Sequence, residues 1–133
     1  MGHDYLPYRP RRDMGAPLLE PTAFGEPVDL IEMPVAWSLD DFPMFEFAPT
    51  ATGMNPGLRS WKDTLDNWIA DYDWMRAHLE WGVITYTFHP FVSGRGHRMM
   101  AMDGLLSHLK ANGAAFVTMA DAARQAAVRL EEH

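Results

Sequence analysis

The sequence predicts an α/β protein: about three consecutive strand–helix units led by an extended arm. Three observations carry this. Apolar runs rich in branched residues alternate three times with stretches of helical spacing, always strand before helix. Capping residues stand where the helical stretches should begin and end. The first 27 residues hold five of the ten prolines, and a proline lacks an N–H and disfavours helix in the residue before it. A strand–helix order repeated in this way argues for parallel pairing with right-handed crossovers.

The elements follow in order. Residues 1–27 (Pro7, Pro10, Pro17, Pro21 and Pro27, with Arg9, Arg11 and Arg12) read as an arm, and residues 28–133 as the folded part. Tyr5, Leu6, Tyr8, Leu18 and Leu19 suggest that the arm lies on an apolar surface, its own domain or a neighbour. Val28 to Trp37 is the first expected strand, irregular at Pro34. Residues 40–59 form a long loop holding Phe42, Phe45 and Phe47. Ser60 caps a helix with Asp63 as a capping-box-like partner; Trp61, Leu65, Trp68, Ile69, Tyr72 and Leu79 recur at helical spacing, with Gly82 as a left-handed C-terminal cap. Gly82 to Phe88 is the clearest strand. Met99, Met102, Leu105, Leu106 and Leu109 mark a second helix closed by Asn112-Gly113, and Ala114 to Val117 is a short third strand. Thr118 and Asp121 then form a capping box opening an Ala-rich helix that runs to about Leu130.

Composition excludes several classes. At 133 residues the chain fits one domain and buries about two-thirds of its unfolded surface. No run approaches the roughly 18 apolar residues of a membrane span, and no signal peptide is visible, so the expected location is the cytoplasm. A net charge of −7 disfavours nucleic acid, because counterion release needs a positive face. Zero cysteine excludes disulfides, thiolate metal sites and a cysteine nucleophile.

Ligands in parallel α/β folds bind at the carboxyl ends of strands. Two such ends carry chemistry: Trp37-Ser38-Leu39-Asp40-Asp41-Phe42 after the first strand and His89-Pro90 after the second. A carboxylate at one imidazole nitrogen fixes the tautomer and raises the ring's basicity, which suits a general acid. Either Asp40 or Asp41 could be that carboxylate; the alternative is that both merely start a loop. Gly94-Arg95-Gly96-His97-Arg98 precedes a helix and offers an anion site, but it lacks the glycine spacing of a phosphate loop; arginines paired with acidic neighbours explain it as well. The histidines (His3, His78, His89, His97, His108, His133) include no pair at i, i+4, so no metal site is expected in this chain, and the Trp and Met stripes read as core or interface.

The segments Leu30-Ile-Glu-Met-Pro-Val-Ala-Trp-Ser-Leu-Asp-Asp-Phe42 and Thr85-Tyr-Thr-Phe-His-Pro-Phe-Val-Ser-Gly-Arg95 resemble the C-terminal part of a polysaccharide deacetylase (NodB-homology, carbohydrate esterase family 4) domain, nearest the allantoinase-like, urate-catabolism branch. Asp4-Tyr5-Leu6-Pro7-Tyr8, the Gly94-to-Arg98 turn and Gly113 to Ala123 are similar in the same order. The resemblance implies a partial, incomplete βα barrel and a metal-dependent hydrolase of non-peptide C–N bonds in N-acetyl sugars or ureides. It implies that His89 is the general acid, that Asp40 or Asp41 orients it, and that Trp37, Phe42 and Arg95 contact substrate. Phe42 stands where many relatives have Trp. The family's Thr-Phe-Asp-Asp-like and His-x-x-x-His motifs, which hold a divalent metal such as zinc, do not occur here. The expectation is therefore a chain without cofactor and inactive alone, which forms a homo-oligomer or joins a chain supplying the missing half; the alternative is a non-catalytic interaction module.

Overall fold

A computed structural model describes residues 5–12, 25–55 and 57–131. The middle of the arm, with Pro17, Leu18, Leu19 and Pro21, lies outside the described residues, as do His3, Asp4 and His133. After a single 3₁₀ turn at Trp37–Leu39, the helices are α1 (Asp41–Phe45), α2 (Trp61–His78), α3 (Pro90–Ser93), α4 (Gly96–Ala111) and α5 (Met119–Glu131). Strands β1 (Ala48–Thr50) and β2 (Gly53–Asn55) pair antiparallel within the loop after α1. The result is a helix-rich α/β arrangement, and among the described residues this hairpin is the only sheet of named strands.

The three long helices form where capping and periodicity place them. Ser60 Oγ accepts from Asp63 N–H at 3.5 Å to open α2. Gly113 closes α4 with a φ of 81°, a left-handed conformation that glycine adopts without steric cost. Thr118 Oγ1 accepts from Asp121 N–H at 3.1 Å and donates to Asp121 Oδ2 at 2.7 Å, completing the box ahead of α5. That hydroxyl, then Arg124, holds the Asp121 carboxyl below its ordinary range. Gly82 departs from expectation. Helix α2 ends at His78 with Leu79 as an extended C-cap, and Gly82 is not left-handed. It sits instead where the chain passes tightly over α2; a Cβ there would lie 2.9 Å from Met75 Sδ and 3.2 Å from the Tyr5 carbonyl.

Among the described residues, the segments read as strands carry isolated bridges at most, rather than ladders. The arm pairs with its own chain: Tyr8 bridges Glu32 and Arg11 bridges Pro27, both antiparallel. Prolines at 7, 10, 27 and 34 remove the donors that would lengthen this ladder. Further on, Asp40 and Thr87 form a parallel bridge, with Thr87 N–H donating to Leu39 O at 2.9 Å and Asp41 N–H to Thr87 O at 3.1 Å. Residues 114–117 form no regular element and join no bridge among the described residues. No described helix is long and apolar enough to cross a membrane.

Helix α2 packs on α4, and the core gathers Leu39, Phe45, Trp68, Tyr72, Met75, Val92, Leu105 and Leu109. Trp68 is its hub. Its rings meet Phe45, Tyr86 and Phe88 edge-on, its Nε1–H donates to Ser38 O at 2.7 Å, and its carbonyl accepts from Tyr86 Oη at 2.7 Å. Burial and the neighbouring Asp71 push the Tyr86 phenol above its ordinary range. Leu105 is a fully buried member of this core, so Leu105→Ala is expected to destabilise the fold by about 2–5 kcal/mol. Urea unfolding followed by tryptophan fluorescence measures it, and a loss below about 1 kcal/mol would contradict this account of the core.

Candidate functional site

The parallel bridge at Asp40 and Thr87 brings two helix starts side by side. Asp40 is the N-cap of α1 and His89 the N-cap of α3. Pro90 at the first position of α3 lacks a hydrogen that would have no partner there, so His89 is held at a defined helix entry.

The two aspartates do different work. The Asp40 side chain accepts from Phe42 N–H at 2.8 Å, and its Oδ1 lies 3.8 Å from His89 Nδ1. Asp41 has no exposed surface. Its Oδ1 accepts from His89 Nδ1 at 2.7 Å; its Oδ2 accepts from His89 backbone N–H at 2.9 Å and from the Ser93 hydroxyl. An ionised carboxylate at Nδ1 requires the proton on that nitrogen, which leaves Nε2 to exchange a proton with anything outside. The Asp41 hydrogen bond raises the His89 pKa above its ordinary value; partial burial opposes this, and the charges of Asp41 and Asp40 add to it.

Two phenyl rings flank the imidazole. Phe42 and Phe91 each meet it edge-on at 5.7 Å between centroids, and the His89 side chain is 35% exposed. Of the residues expected to contact substrate, Phe42 is therefore beside the imidazole. Trp37 is in the 3₁₀ turn, 80% exposed, and makes no ring contact with His89. Arg95 is exposed at the N-cap of α4 and makes no hydrogen bond to Asp41 or His89 among the described residues. Ser93 and Phe91 were not singled out from the sequence. The signal was present in the one-turn helix that Pro90 opens, since a residue four past His89 returns to the same side.

Arg98 anchors the far ends of both short helices. It is 4% exposed. Its Nη1 donates to Glu46 Oε1 at 2.6 Å and to Val92 O at 2.9 Å, and its Nη2 donates to Phe45 O at 2.9 Å. Those carbonyls belong to the last turns of α3 and α1, where a cation is favoured. Arginine pairing with an acidic neighbour thus accounts for Arg98 in the Gly94–Arg98 turn.

Asp40, Asp41 and His89 each offer a ligand atom within 4.8 Å of the others. The divalent metal that the family resemblance implies does not fit this triad. The two Asp41 oxygens already accept from three donors between them, and Nδ1 of His89 is taken up by Asp41. A cavity of about 710 Å³ lies between residues 82–88, α4 and residues 113–119, and neither Asp41 nor His89 lines it. The site is therefore the partly exposed imidazole itself.

No family model matches the chain. It is 31% identical over 101 residues to a peptidoglycan deacetylase of Helicobacter pylori, an alignment covering 75% of this chain and 34% of the relative. It is 28% identical over 117 residues to a peptidoglycan deacetylase-like protein of Gibberella zeae, covering 80% of this chain and 34% of the relative. The chain thus spans about a third of the length of the curated relatives it matches. Both matches support a polysaccharide deacetylase domain.

Two measurements check this geometry. His89 holds its proton more tightly folded than unfolded, so the pairing stabilises the protein fully below the ordinary imidazole pKa of about 6.5. That contribution is lost as pH rises through the higher folded value. An NMR titration is expected to place the His89 midpoint above the ordinary range, with Asp41→Asn bringing it down; a His89 midpoint at or below that range would contradict the pairing. Arg98→Met should lower stability by about 2–3 kcal/mol, less than a fully buried pair because Glu46 is part-exposed. Denaturant midpoints read it, and a loss under about 0.5 kcal/mol would mean that Arg98 behaves as a surface cation.

Proposed function

We propose that this chain, whose matches support a polysaccharide deacetylase domain, supplies the acid side of an amide-hydrolysing site. His89 protonates the leaving amine from Nε2 while Asp41 holds Nδ1. The observation that supports this most is the fully buried Asp41 carboxylate on Nδ1 of an imidazole whose side chain is part-exposed. A raised pKa keeps the ring charged nearer to neutral pH, which an acid must be before it can donate. An amine leaves poorly as an anion, so a proton arriving as the C–N bond breaks is what this bond most needs. Phe42 and Phe91 shield the imidazole edges, and the indole of Trp37 offers a flat apolar face for a sugar ring.

The substrate proposed is an N-acetylated glycan in preference to a ureide, since both relatives are named as peptidoglycan deacetylases or deacetylase-like proteins. The group that activates water is proposed to come from residues outside these 133, so the chain alone is inactive. A second reading, an interaction module that forms homo-oligomers, draws on the exposed Phe116, Val117 and Met119 beside the cavity.

Mixing the chain with a polypeptide carrying the family's metal-binding motifs is expected to release acetate from N-acetylglucosamine oligomers, which neither releases alone. His89→Ala should slow that reaction by about 10²–10⁴-fold. It should spare 4-nitrophenyl acetate, whose leaving group departs without a proton. Deacetylation indifferent to His89→Ala overturns the acid role. Light scattering that finds a self-associated chain, with no activity in any mixture, favours the interaction module.

A further inference from the structure

We propose that Ser93 is a positioning residue that tunes how strongly His89 holds its proton, acting through Asp41; the inference rests on the acid role of His89. The residue is 2% exposed, and its hydroxyl donates to Asp41 Oδ2, the oxygen facing away from the imidazole. Two features make this more than a satisfied core hydroxyl. First, Asp41 has no surface exposed to water, and among the described residues its carboxylate meets three donors: the imidazole N–H, the His89 backbone N–H and Ser93. Second, Ser93 and the His89 backbone hold the same oxygen, so together they fix the carboxylate plane and aim Oδ1 at Nδ1.

The consequence has a sign. A neutral hydroxyl draws charge from the carboxylate without neutralising it. With that donor removed, the buried anion depends more on the remaining donors, and the charged imidazolium is favoured over the neutral ring. Ser93 therefore keeps the imidazole from becoming too reluctant an acid, because efficient proton transfer needs a pKa near the working pH. The group facing this cluster from its other side is Asp40, 3.8 Å from Nδ1, whose charge also favours the imidazolium. Arg98, a buried cation of α4, is committed to Glu46, Phe45 O and Val92 O and makes no hydrogen bond to Asp41 among the described residues. No other hydroxyl is bonded to Asp41 among the described residues.

The test is an NMR titration of the His89 ring in the 133-residue chain, with no substrate present. Ser93→Ala is expected to move the midpoint upward, and Ser93→Thr, which keeps the hydroxyl, to leave it at the parent value. If Ser93→Ala does not fold by circular dichroism, Ser93→Cys keeps the volume with a weak donor, and a smaller upward shift is expected. An unchanged or lowered midpoint in a folded Ser93→Ala or Ser93→Cys chain overturns the proposal. This readout is independent of turnover, so its failure leaves the acid role of His89 standing. Deacetylation indifferent to His89→Ala would sink the acid role whatever the titration shows. In the active mixture, Ser93→Ala should lower kcat with KM unchanged and shift the pH–rate profile upward, which a loss of folding alone would not do.

Discussion

A carboxylate removed from water must be met by donors, and among the described residues those that meet Asp41 come from a five-residue stretch of chain. Three donors from His89 and Ser93 converge on it, so residues 89–93 have little freedom to move relative to α1. The parallel bridge between Asp40 and Thr87 sets the register that makes this possible. A slip of one residue at that bridge would turn the side chain of residue 41 to the opposite face and strand the charge. The site and the local fold are thus held by one electrostatic constraint.

Arg98 repeats the logic at the other end of the same two helices. One guanidinium spans the last carbonyl of α1 and a carbonyl of α3, and carries Glu46 with it. The arrangement is imperfect: Arg98 Nε has no hydrogen-bond partner among the described residues. Its stacking on Phe45, 5.1 Å from the ring centroid, offsets part of that cost. Helices of four and five residues are too short to stand alone in water. Here each is clamped at its start by Asp41 and at its end by Arg98, which explains why such brief turns persist.

Much of the helical framework was legible in the sequence, because caps and periodicity are local properties. Thr118 with Asp121 and Asn112 with Gly113 state their roles within four residues. The nearness of His89 to an aspartate was also legible, since both follow extended apolar runs. Which aspartate was not: Asp40 and Asp41 are chemically alike, and only the helix entry decides that one caps Phe42 while the other turns inward. Ladders were less readable than helices for a different reason. Val28 to Trp37 and Gly82 to Phe88 have strand-like composition, but a ladder exists only between neighbours, and the partners present supply single bridges. Gly82 misled because a glycine after a helix usually signals a left-handed turn, whereas here close approach to Met75 and Tyr5 excludes any side chain.

The loop after α1 departs and returns at nearly one point. Arg59 N–H donates to Met44 O at 2.9 Å, and Gly57, at φ 54°, lies so near Glu46 that a Cβ would come within 2.1 Å of its carbonyl oxygen. The β1–β2 hairpin hangs from this closed neck. Chain added at its tip leaves the neck, and so Asp41 and Phe42, where they are; each doubling of a flexible loop costs only about 0.6 kcal/mol. Evolution has a freely extensible appendage anchored at the end of α1, on which new contacts to a polymeric ligand can be tried without disturbing the acid.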